Sequence, residues 1–533
     1  LIIKRDSHTG FIERDAMLIK KAVIVIPPLE DFYFTSHRFS NIGAGIVSQI
    51  LKTLSIESCT ISFPTLSNST STITLPNNLD YLEKYVLPNE SGPTSFFTNY
   101  KRFGFSTEIC MNEIMKSEPD ICLFSCFAFC YADPAIKIAN RLKKEYPNVT
   151  TIFGGAAISV CPEYFLNERG VDFAVTGEAE ISLQPLIESL RNSDPVFLSI
   201  PNLYWRHNDE IQSSRIVKFT DSKDIISQIS LPFENKKNLF LSTTISRGCT
   251  YKCSFCSNRL SQGTTFRMID SDKFITFFSS LDSVYSSAKN ILLNIEDDNI
   301  LLDYEHLKNI LLYCKSKIPN ISFSFENGID YRLLSDKQCN ELIDLGVKQF
   351  NFSLGTASQQ QSLVENRDLN LTKLEDLYRI AKSQNIPVIT YFICGFKEDT
   401  LNSIVNNLLY LSNKPTLVGI SLFYAVPKLY NLNTISIKES NLKPVFFAGT
   451  SAYPWNRSLS TQTLITAFRL ARFVNLLKKV NKNDQEKELM KKCLAESKIF
   501  TFIKNKNGKD LCPVPNLDNS LTRLFFESFK SQI

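Results

Sequence analysis

Three cysteines, Cys249, Cys253 and Cys256, lie on one loop that opens at Gly248 and reads Ser246-Arg247-Gly248-Cys249-Thr250-Tyr251-Lys252-Cys253-Ser254-Phe255-Cys256. Thiolates at this spacing can converge on one small centre. Iron–sulfur clusters are held by Cys thiolates, usually four, so three protein ligands leave one iron open to a substrate. The competing chemistry is structural zinc, which needs a closed fourth position, usually from a second Cys or His pair. No such pair sits nearby; the nearest candidates downstream are His306 and Cys314, about 50 residues on. Most other cysteines are scattered singly in apolar surroundings, as buried thiols are, and Cys122, Cys126 and Cys130 are read the same way.

Acids form the second constellation. Glu296-Asp297-Asp298 follows the apolar run Ile291–Ile295 directly, and carboxylates ending a buried strand suit a cationic ligand, the alternative being a solvated turn. From Ser242 to Ile269 the chain holds Arg247, Lys252, Arg259 and Arg267 and no acid. Such a basic rim would attract an acidic protein partner, unless the loop is simply solvated.

Positioning these groups requires strands that end beside them. Short apolar runs at Ser242–Ile245, Ile291–Ile295, Ile321–Phe325, Phe350–Leu354, Val388–Ile393 and Val418–Phe423 alternate with helical patterns, which predicts a partial six-unit parallel barrel over 236–430. Ser335 with Gln338 and Thr372 with Glu375 have capping-box spacing, and Gly346 is placed to end the first of those helices. Upstream, Ala22–Ile26, Ile121–Ser125, Val149–Phe153 and Val171–Val175 alternate with helices, one of them starting at Asp133-Pro134. That rhythm predicts a doubly wound, Rossmann-like parallel sheet over 1–195. Residues 196–235 read as a connector with one possible strand, Asn202–Trp205, and 431–533 as a mostly helical region with a helix at Thr461–Lys479.

A chain of 533 residues is too long for one core, so two or three domains are expected. Its net charge of +5 is small for that length and gives no reason to expect nucleic acid as a partner. No apolar stretch is long enough to span a membrane, and the first residues lack a signal-peptide core, so the expected location is the cytoplasm.

The CxxxCxxC loop, with Phe255 before its last cysteine and placed after the first barrel strand, resembles the defining motif of the radical S-adenosylmethionine (SAM) superfamily. The resemblance implies a 4Fe-4S cluster on Cys249, Cys253 and Cys256. It implies SAM contacts from Glu296, Asp297 and Asp298 to the amino group, from Ser353 or Thr356 to the ribose, and from Arg367 to the carboxylate. The fifth strand, ending Ile393-Cys394-Gly395-Phe396, is similar to the family's adenine edge without its first glycine. The first 195 residues, with Val149–Phe153 running into Gly154-Gly155, with Pro162-Glu163, and with Val171–Val175 running into Thr176-Gly177-Glu178-Ala179-Glu180, resemble the cobalamin-binding domain that precedes many such barrels. A doubly wound sheet binds its ligand outside the carboxyl ends of its strands, which brings Ser125, Gly154-Gly155 and Gly177-Glu178 to one rim. The DxHxxG cobalt-ligating loop of cobalamin mutases is missing, so cobalt is expected without a His ligand; the alternative is a domain serving only as scaffold. Together these likenesses imply a cobalamin-dependent radical SAM methyltransferase acting on a small molecule or peptide, with flavodoxin or ferredoxin as electron donor. The rival is a radical SAM oxidoreductase or cyclase without methyl transfer.

Overall fold

Lys21–Ile26 is nearly all apolar and is buried on both faces, as the inner strand of a parallel sheet must be. The computed structural model describes residues 17–35, 39–88, 97–231, 238–285, 288–429, 443–478, 484–502, 511–514 and 516–531. In it, this strand lies between Glu57–Ser62 and Ile121–Ser125, followed outward by Thr150–Gly154 and Phe173–Val175, all parallel. Leu203–His207 and Glu210–Ser213 then extend the sheet antiparallel, so the predicted connector supplies two strands. One face is covered by helices such as Ile42–Thr53 and Leu183–Leu190, the other by Ala132–Glu145 and its neighbours. That last helix begins one residue before the expected cap, Asp133, whose side chain instead accepts from the Tyr164 hydroxyl (2.9 Å).

The second parallel system has six strands: Asn238–Thr243, Asn290–Ile295, Ile321–Ser324, Phe350–Gly355, Val388–Cys394 and Leu417–Leu422. The third and fourth are joined by single parallel bridges, Phe323 to Val347 and Ile329 to Phe352. The first strand starts earlier than the sequence suggested, and Ile245 already belongs to the loop that leaves it. Ser335 and Gln338 form the expected capping box, and Gly346 closes that helix at φ +109°. Thr372 is not a cap; Asn370 is, its side chain accepting from the Lys373 amide (3.0 Å).

An open six-stranded barrel exposes two edges, and both are covered. Ile229–Ser230 pairs with the first strand. On the sixth, Asn475 from helix Thr461–Lys478 brackets Val418, accepting its N–H (2.7 Å) and donating to its carbonyl (2.9 Å). Among the described residues no helix is long and apolar enough to cross a membrane.

Candidate functional site

The cysteine loop is tied down at its base. Ser246–Arg247 pairs antiparallel with Arg267–Met268, closing the segment between them into a clip. Gly248 has φ +78°, and a Cβ there would lie 2.3 Å from the Thr265 carbonyl oxygen, so the turn into Cys249 has room only for glycine. Asp297 accepts from the Ile245 amide (3.1 Å) and the Ser246 hydroxyl, and Asp298 accepts from the Gly248 amide (2.9 Å). Farther along, the Ser254 hydroxyl donates to Glu365, at the C-terminal end of the short helix Gln359–Val364 that follows the fourth strand. Burial pushes the Asp297 carboxyl up to about 7, and raises Asp298 and Glu365 as well.

A cavity of about 150 Å³ opens beside Cys249, Cys253 and Cys256. Phe255, Asp298, Ser353 and Arg367 line it, as do Asn299, Asn327, Gly328 and Asp330. The Asn299 amide lies 3.8 Å from Cys249 Sγ. Arg367 donates to the Ser353 carbonyl and lies 4.0 Å from Asp330, leaving further N–H donors for an anionic ligand. Phe255 packs on Phe396 at the end of the fifth strand, ring centroids 5.3 Å apart. Among the described residues no three Cys, His or carboxylate groups crowd together closely enough to share a single ion. The three thiols ring the cavity, as ligands to separate irons of one cluster do. Burial raises the Cys249 and Cys256 thiols, a cost that bonding to iron would offset.

The second site is the rim of the N-terminal sheet. A cavity of about 500 Å³ is lined by Ser125, Gly154, Gly155, Gly177 and Glu178, and across from them by Arg247, Glu296, Asp298 and Asn327 of the barrel. A Cβ on Gly154 would meet nothing nearer than 4.0 Å, so this glycine borders open space. Gly155 differs: its φ is +107° and a Cβ would sit 2.5 Å from the Cys126 carbonyl oxygen. The floor is backbone and apolar side chains, which suits a broad flat ligand. No described residue lining it is a histidine. His207 and His306 lie elsewhere; His8 and His37 are outside the described residues.

Between the rims sits a buried ionic quartet. Glu178 accepts from Arg267 (2.8 Å) and Arg247 (3.2 Å), and Glu180 accepts from Arg247 (2.7 Å). Burial alone would push the Glu178 carboxyl up, but the two guanidinium groups outweigh it and hold it below the usual range. The site adjoins two matched segments: residues 243–411 match the Radical SAM superfamily model and residues 104–187 match the B12 binding domain model. The chain carries a B12-binding domain and a radical SAM domain.

The chain is 24% identical over 294 residues to an uncharacterized methyltransferase of Pyrococcus horikoshii, covering 54% of this chain and 62% of that protein. It is 21% identical over 334 residues to the cytidylyl-2-hydroxyethylphosphonate methyltransferase of Streptomyces wedmorensis, covering 56% and 61%. Each match thus spans less than two thirds of the relative's length. The fold is similar to that of the radical SAM methyltransferase TsrM from Kitasatospora setae, solved with tryptophan and a SAM analogue (TM-score 0.58, 12% identity, 81% of this chain and 83% of that one). It is also similar to the cobalamin-dependent radical SAM enzyme OxsB (TM-score 0.55, 14% identity, 76% and 53%).

Several expected contacts of the two domains fall elsewhere. Asp297 is turned to the loop backbone and lines neither cavity. Glu296 accepts from Ser40 (2.6 Å) and Asn294 (3.1 Å) on the B12-binding side, away from the cysteines. Thr356 is buried and its hydroxyl accepts from the Ser358 amide (3.1 Å), so of the two ribose candidates only Ser353 reaches the cluster cavity. Arg247 and Arg267 are not a basic rim, because Glu178 and Glu180 bury them; Lys252 stays exposed and Arg259 partly so. Glu365, Asn299 and Gly328 were missed. Gly328 carried a readable signal, a polar Asn-Gly turn directly after a buried strand.

Proposed function

We propose that this chain is a cobalamin-dependent radical SAM methyltransferase that methylates an unactivated carbon of a small molecule or peptide. The observation that carries the reading is that the glycine-rim cavity and the cysteine cavity share Asp298 and Asn327, so ligands in the two would be neighbours. When bound, the cluster and SAM supply a carbon radical and cobalamin a transferable methyl group. Cys249, Cys253 and Cys256 would ligate three irons. Arg367 is placed for the SAM carboxylate, Ser353 for a hydroxyl and Asp298 for the ammonium. Asp297, Asp298 and Glu365 fix both ends of the cysteine loop, which limits reorganisation when charge develops. Gly154 and Gly155 let the macrocycle approach the sheet rim, and no described lining residue offers cobalt an imidazole.

Electrons would come from an acidic flavodoxin or ferredoxin in the cytoplasm, docking near Lys252 and Arg259. The cyclase alternative, with the B12-binding domain as mere scaffold, is not favoured. Two of the relatives above are named methyltransferases, and the rim keeps a cavity that a scaffold would not require. The test is anaerobic incubation of reconstituted protein with reductant and methyl-labelled SAM. 5′-Deoxyadenosine and S-adenosylhomocysteine should both form; protein with a full cluster that yields neither would refute the reading.

A further inference from the structure

A third cavity, of about 450 Å³, opens where the B12-binding rim, the sixth barrel strand and the segment 447–450 meet. It shares Phe127 and Ala156 with the glycine-rim cavity and includes Ser257, the neighbour of Cys256. Tyr424 and Cys130 line it together with Ser257. A molecule held here therefore borders both cofactor sites, which is what a methyl acceptor must do.

The lining has an unusual composition. Seven aromatic residues line it, among them Tyr33, Phe127, Tyr131, Tyr424 and Phe447. Among the described lining residues Asp31 alone carries a formal charge. Asp31 ends the strand Leu29–Asp31, which pairs antiparallel with Lys101–Phe103, and only 4% of it is exposed. Its carboxylate accepts from the Tyr131 hydroxyl (2.7 Å) and the Phe32 amide (2.6 Å), and also from Thr450 and the Tyr33 amide, all of them neutral donors. Arg472 stacks on the Phe468 ring, 5.1 Å from its centroid, and does not line the cavity. A buried carboxylate with neutral donors and no cation is a costly arrangement unless a ligand completes it. Aromatic faces favour a cation, and an anion would be repelled by both features. Burial raises the Asp31 carboxyl, which a bound cation would reverse.

We infer that this cavity is the acceptor-substrate site and that it takes a largely apolar molecule bearing a protonated amine, held by Asp31 among the aromatic rings. The inference rests on the methyl-transfer reading for the word acceptor, but the charge preference stands on the cavity itself.

The test uses the reconstituted holoprotein and three fluorescent probes of one shape: naphthylmethylamine, naphthalenemethanol and naphthylacetate. The amine should bind roughly tenfold or more tightly than the alcohol, and the acetate weakest, as a desolvated ion pair with aromatic support requires. Asp31→Asn should reduce the amine to the level of the alcohol while leaving the alcohol's affinity unchanged. Equal affinity of amine and alcohol for the unaltered protein would overturn the inference without relying on any variant. So would an amine preference that survives Asp31→Asn. SAM cleavage measured on the same samples separates the two proposals. A preparation that binds the amine selectively yet never cleaves SAM keeps the cation site and loses the methyltransferase. One that cleaves SAM without charge preference does the reverse.

Discussion

At the end of the N-terminal sheet the rim is mostly backbone: Ser125, Gly154, Gly155 and Gly177 leave a broad space whose charged walls come from Glu178 and, across it, from Arg247, Glu296 and Asp298. At the end of the barrel the rim is side chains: three thiols, two arginines and buried carboxylates crowd a cavity less than a third as large. Both obey the rule that open α/β sheets bind outside the carboxyl ends of their strands. The difference lies in what each ligand asks of the chain. A flat macrocycle needs access, so side chains are removed; a cluster needs bonds, so side chains are supplied and the loop bearing them is pinned. The ionic quartet of Glu178, Glu180, Arg247 and Arg267 then fixes one rim against the other.

The largest expected effect breaks one rim and spares the other. Replacing Cys249, Cys253 and Cys256 together by Ala should abolish the iron–sulfur absorbance and leave cobalamin uptake intact, read by iron analysis and visible spectra. Glu178→Gln should come next, because it leaves two buried guanidinium groups short of a partner, at a cost of about 3–5 kcal/mol in chemical denaturation. It should weaken both cofactor sites at once, as no change confined to one rim would.

Glu178 also shows what the sequence could and could not disclose. The cysteine spacing and the glycines after strands are local patterns, and the structure keeps them where the strand rhythm placed them. The partners of Glu178 lie 69 and 89 residues downstream, so its burial against arginines was not legible from its own neighbourhood. Thr356 and Asp297 teach the same lesson at shorter range. Each sits at the end of a barrel strand, as expected, but its side chain is committed to loop backbone. Position along a strand was readable; the direction of a side chain once the chain turns was not.

Gly154→Leu sharpens the contrast from the other side. Its Cβ has open space, so the variant should fold, hold its cluster, and bind cobalamin weaker by about 1–3 kcal/mol, measured by spectral titration. Gly155→Leu should instead destabilise the fold, since its backbone conformation and the Cys126 carbonyl both oppose a side chain.

The smallest effect at neutral pH belongs to Asp297→Asn, about 1 kcal/mol or less in denaturation, because the buried carboxyl is already partly protonated there. Its signature is the pH profile. With a folded pKa raised from 3.8 to about 7, the folded chain holds a proton that the unfolded chain releases. Stability is therefore greatest at the acid end of that window, falls as pH rises through it, and levels off above it. The Asn variant should lose this slope.

The account stands most directly on metal content. After anaerobic reconstitution with iron, sulfide and cobalamin, followed by gel filtration, elemental analysis should find about four irons and one cobalt on each chain. Iron retained without cobalt would contradict the central claim that two cofactors face each other across these rims, as would cobalt that disappears whenever the three cysteines are removed.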